Sequence, residues 1–167
     1  SIYFTKKFSS FSYIFEPSFK NLNLIERNIA LNNLNEKITV IPNPVYKKNI
    51  VSKLFQLENN VAGSATTTFD DQVVKNKITN LLKKRSQMTG LKVLSFSIDN
   101  LVKNKIIKKP DLIKIDVDGN EYDVILGAQQ ILKASKNLSL LIEIQSYNKN
   151  KTLLLLKKLG FKILSSR

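Results

Sequence analysis

The sequence predicts one α/β domain over residues 1–167, a mainly parallel, doubly wound sheet with helices on both faces. Short apolar runs alternate with helical patterns along the whole chain, which is the signature of βα units. One run, Leu112 to Val117, passes directly into an acidic cluster and a Gly, then into amphipathic spacing at Val124, Ile125, Ala128, Ile131 and Leu132. That is a buried strand feeding a helix. At 167 residues, with 43% hydrophobic and 24% charged side chains, the chain is ordinary for a single globular domain with a real core.

Taken in order, residues 1 to 8 space Tyr3 or Phe4 with Phe8 at helical intervals and carry no start signal, so they read as the tail of a helix. Ser12 to Phe15 is a strand ended by Glu16-Pro17, because Pro cannot continue a ladder and holds its predecessor extended. Phe19, Leu22, Ile25, Ile29 and Leu31 then form one helical face that stops near Asn32-Asn33. Ile38 to Ile41 is the next strand, closed by Pro42-Asn43-Pro44. Val51 to Leu57 suits an antiparallel strand, and Gly63 to Thr68 a hydroxyl-rich loop. Residues 71 to 88 suit an exposed helix broken by Gly90, and Val93 to Ile98 a strand, with Asp99 placed to cap Asn100 to Lys103. Beyond the central run come a helix to about Ala134, a strand Leu138 to Ile144, a helix from about Lys151 to Leu159 and a last strand Phe161 to Leu164.

Composition restricts the chemistry. The chain has no Cys and no His, so disulfides, thiolate nucleophiles, Cys-ligated zinc and imidazole bases are excluded. Any catalysis falls to carboxylates, Lys, Tyr, Ser or Thr, and no metal is expected. No apolar run reaches spanning length and no signal-peptide order opens the sequence, so the expected setting is cytoplasmic. The net charge of +14 would suggest nucleic acid, but only Arg27, Arg85 and Arg167 are Arg. Base and phosphate readers favour Arg, so Lys83-Lys84-Arg85 and Lys157-Lys158 read as solvated helix faces and no nucleic-acid partner is expected.

The informative cluster is Asp116-Val117-Asp118-Gly119-Asn120-Glu121. A calcium loop needs Gly sixth and Glu twelfth, where this chain has Glu121 and Gly127. Capping explains part of the cluster, with Asp118 as cap and Glu121 three residues on, but leaves Asp116 unexplained. Ligands of open α/β sheets sit at the carboxyl ends of parallel strands, where Asp116 falls.

At these residues the chain resembles a known family. Ile113 to Glu121, then Val124-Ile125-Leu126-Gly127-Ala128 and Leu140-Leu141-Ile142-Glu143-Ile144, look like the signature of FkbM-type methyltransferases. Phe15-Glu16-Pro17, with Asn21, Asn28 and Leu31 to Leu34 downstream, and Ser97 to Leu101 resemble two further blocks of that family. The resemblance implies a Rossmann-like class I methyltransferase fold and S-adenosylmethionine as cofactor. It assigns cofactor binding to Glu16 (ribose hydroxyls), Asn43 (adenine edge), Asp116, Asp118, Gly119 and Glu121. Asp116 and Glu143 become the candidate catalytic bases, Glu143 in a buried setting, and the acceptor is expected to be a hydroxyl of a sugar or other small molecule. The family's Gly-rich turn and first strand are not found ahead of Ser1, so the 167-residue chain is expected to be a fragment that binds S-adenosylmethionine weakly or not at all. Two other readings stay open: a degenerate, non-catalytic Rossmann-like interaction domain, and a basic nucleic-acid-binding module.

Overall fold

A computed structural model describes residues 1–57, 67–69 and 88–165. Of the helix predicted over 71 to 88 all but Met88, and of the loop predicted over Gly63 to Thr68 all but Thr67 and Thr68, lie outside the described residues; those three residues are in strands instead. The chain divides into two compact units, Ser1–Pro44 with Val51–Leu94, and Val45–Ile50 with Ser95–Arg167.

In the first unit α1 (Ile2–Phe8) ends at Ser9, whose backbone is left-handed at φ 46°. The buried Thr5 hydroxyl lies 2.6 Å from that of Ser12 and so ties α1 to β1 (Ser12–Phe15). β1 pairs in parallel with β2 (Ile38–Ile41), Ser12 opposite Ile38 and Phe15 opposite Ile41, and α2 (Phe19–Leu31) makes the crossover. The inward side chains Ile29, Leu34 and Ile38 pack with Ile2, Ile14, Ile25 and Val40, which is why the apolar spacing in α2 matters. β3 (Val51–Leu57) lies between β4 (Thr67–Phe69) and β5 (Met88–Leu94), antiparallel to both. Gly90, expected to break a helix, lies within β5 opposite Phe55.

In the second unit β6 (Leu112–Ile115) pairs in parallel with β7 (Ser139–Ile142), Ile115 opposite Ile142. The helices are α3 (Ile98–Lys103), α4 (Glu121–Leu126), α5 (Gln129–Ala134) and α6 (Lys149–Lys158), the last preceded by a 3-10 turn at Ser146–Asn148. Val124, Ile125, Ala128, Ile131 and Leu132 are buried, as their spacing requires.

Four expectations need correction. The strand expected over Val93 to Ile98 ends at Leu94; Phe96 makes an isolated bridge to Val45, and Ile98 already begins α3. Asp99 does not cap α3. Ser97 does, accepting the Asn100 N–H at 3.3 Å, while Asp99 caps α5 by accepting the Gln130 and Ile131 N–H groups at 2.9 and 3.0 Å. The helix expected to run unbroken to Ala134 is interrupted at Gly127-Ala128, where a Cβ on Gly127 would lie 2.1 Å from the Tyr46 carbonyl oxygen. Residues 161 to 164 form no strand; Leu164 is 95% exposed, and a strand needs a neighbouring edge to satisfy its backbone. Among the described residues no helix is long and apolar enough to cross a membrane.

Candidate active site

The parallel ladder of β6 and β7 positions the candidate residues Asp116 and Glu143 in the second unit. Its register continues one step past the strands, since the Glu143 N–H donates to the Ile115 carbonyl at 3.0 Å. Asp116 and Glu143 are therefore neighbours at the two carboxyl ends, at roughly the 4.8 Å spacing of adjacent strands. Alternation puts them on the face of Leu112, Lys114 and Leu141, which is exposed. Lys114 Nζ donates to Asp116 Oδ2, and the Asp116 side chain is 51% exposed. Glu143, expected in a buried setting, is exposed as well. A strand residue that leaves the ladder at its end can face solvent however apolar its predecessors are, so the burial invoked for a tuned base is absent at both.

Among the described residues the buried carboxylate is Glu121, with no solvent exposure. Asp118 is not the cap of α4; Asn120 occupies that position but makes no side-chain capping bond, and Glu121 reaches back instead. Its Oε1 accepts the Gly119 N–H at 3.0 Å, and its Oε2 accepts from Asn148 Nδ2 at 3.0 Å. Asn148 Nδ2 also donates to the Gly119 carbonyl at 2.8 Å, and Asn148 is itself only 2% exposed. A buried charge is tolerable only when hydrogen-bonded in this way. Gly119 closes the turn at φ 93°, a conformation L side chains avoid. Asp116, Asp118 and Gly119 thus belong to a turn held from below by Glu121 and Asn148.

Tyr147 stands beside this turn. Burial, then the charges of Glu121 and Asp118, push its hydroxyl up to about 12, so it stays a neutral donor. On the far side of α4, Lys47 Nζ lies 3.0 Å from Asp123 Oδ1. Burial alone would lower the Lys47 ammonium, but hydrogen bonds to Asp123 and Tyr46 and their charges outweigh it and raise it.

Glu16 and Asn43 lie in the first unit. Glu16 Oε1 accepts the Ser18 N–H at 2.8 Å and Oε2 accepts from Asn21 Nδ2 at 3.2 Å, so this carboxylate holds the start of α2. Asn43 Nδ2 donates to the Leu94 carbonyl at 2.9 Å, anchoring the end of β5.

Sequence reasoning did not single out Asn148, Tyr147 or Lys114. Lys114 was findable, because i and i+2 on a strand share a face with Asp116. Asn148 and Tyr147 follow β7 in the short 3-10 turn Ser146–Asn148 with no local signal, and only the fold brings Asn148 to Gly119 and Tyr147 near Glu121 and Asp118.

The chain matches the Methyltransferase FkbM domain family over residues 3–163. The crystal structure of a Methyltransferase FkbM from Methylobacillus flagellatus KT is 18% identical, with a TM-score of 0.48, and the match covers 87% of this chain and 28% of that one. This chain thus spans under a third of that relative's length. No curated protein matches it.

Proposed function

The chain belongs to the FkbM methyltransferase family, and from that premise we propose that it transfers a methyl group from S-adenosylmethionine to a hydroxyl of a sugar or other small molecule. The observation that carries this reading is the Asp116–Gly119 turn, pinned by a fully buried Glu121 at the carboxyl end of β6. Asp118, half-buried on the turn, suits the cationic amino and sulfonium groups of the donor.

Bound S-adenosylmethionine would supply a sulfonium-activated methyl group. The chain's own part is to orient and to take a proton. Asp116 and Glu143, side by side and exposed, can accept the proton of an alcohol that approaches the strand ends, and Lys114 holds the Asp116 carboxylate in place. Most of the rate gain comes from holding the reacting atoms in line, which a pinned turn favours over a mobile one.

The test is transfer of labelled methyl from S-adenosylmethionine to a panel of sugars and small alcohols by the protein that carries this sequence. The reading expects acceptor-dependent label incorporation that falls about a hundredfold or more in Asp116→Asn. No incorporation above background with any hydroxyl acceptor would count against it.

A further inference from the structure

Asn148 spends both amide hydrogens on the acidic turn, one on the Gly119 carbonyl at 2.8 Å and one on Glu121 Oε2 at 3.0 Å, across 29 and 27 residues of sequence. It is also the residue at which the 3-10 turn passes into α6, its own N–H bonded to the Gln145 carbonyl at 2.9 Å. We propose that Asn148 is a positioning residue for the methyl donor, fixing the Asp116–Gly119 turn by clamping Glu121 and Gly119 together; the proposal rests on the methyltransferase reading of that turn.

The physical reason is the asymmetry of the buried network. Glu121 has no solvent exposure, and its Oε2 accepts from Asn148. Without that amide the oxygen is a buried charge short of a donor, a state costly enough to move the side chain toward water. When Glu121 moves, the Gly119 N–H loses the bond to Oε1, and Asp118, the preceding residue, shifts with the turn. Asn148 therefore acts through Glu121 and Gly119 rather than by touching the donor.

Tyr147 reports on the clamp independently of activity, because its burial, and then the charges of Glu121 and Asp118, push its hydroxyl up to about 12. Its titration is isolated by subtracting the ultraviolet absorbance of Tyr147→Phe from that of each protein. S-adenosylhomocysteine is the binding probe, titrated by calorimetry into the whole protein that carries this sequence (the parent) and its Asn148→Ala and Asn148→Ser variants, with Leu154→Ala, an exposed position on α6, as control.

Asn148→Ala should lower the Tyr147 midpoint and weaken S-adenosylhomocysteine at least about tenfold, with helix content kept. Asn148→Ser, which retains one donor, should recover part of both, and Leu154→Ala should match the parent. If Asn148→Ala does not fold, Asn148→Ser must show the same two changes in smaller measure. A parent that binds while both Asn148 variants bind equally well overturns the proposal, whatever Tyr147 does. A parent that shows no binding overturns the functional reading itself, and the positioning role with it.

Discussion

Glu121 Oε2 and Asn148 Nδ2 meet at 3.0 Å inside the second unit, one residue wholly buried and the other 2% exposed. Truncating Glu121→Ala would strip Gly119 N–H and Asn148 of a charged partner in a place water does not reach. The expected loss is about 2–4 kcal/mol of stability, read from urea unfolding, with Glu121→Gln costing less because it keeps the shape and can still accept.

Tyr147 makes stability depend on alkaline pH. Its hydroxyl is raised to about 12 in the fold against about 10 when unfolded, so the folded chain holds that proton longer. The unfolded chain releases the proton first as pH rises, and stability falls between pH 10 and 12. Below pH 10 Tyr147 contributes no slope. Tyr147→Phe should flatten the alkaline limb of a plot of unfolding free energy against pH, while a limb unchanged by the substitution would assign it to other groups.

Two glycines should respond to Ala for different reasons. At Gly127 the added Cβ would lie 2.1 Å from the Tyr46 carbonyl oxygen, so backbone must move, and a loss above about 2 kcal/mol is expected. At Gly160 nothing lies within 4 Å, but φ is +87°, so the cost is backbone strain alone, about 1–2 kcal/mol. Thermal melts of the two variants should rank in that order.

The local parts of this fold were legible and the non-local parts were not. β1, β2 and β3 start and stop where predicted, since Pro17 and Pro42 and the run of apolar residues act within a few positions. Asp99 was legible as a cap, but its helix lies some thirty residues on, at Gln130 and Ile131. Asp116, Asp118, Gly119 and Glu121 were legible as one turn because they are contiguous. The exposure of Glu143 was not, because the apolar strand before it says nothing of what covers the strand's end. The role of Asn148 exists only through a contact 27 residues distant.

Thr152 is fully buried on α6, and its Oγ1 has no hydrogen-bond partner among the described residues. Thr152→Val keeps the shape and removes an unsatisfied hydroxyl. The variant should be as stable as the parent or more stable by about 1 kcal/mol, measured by chemical denaturation. A loss of that size would place a hidden partner on the hydroxyl.

The acidic turn after β6 is proposed to hold the methyl donor. The most direct measurement is calorimetric titration of S-adenosylhomocysteine into the protein that carries this sequence, beside its Asp118→Asn variant. Saturable binding by the parent and at least about tenfold weaker binding by Asp118→Asn are expected. Equal affinity in the two proteins, or no binding by the parent, would contradict it.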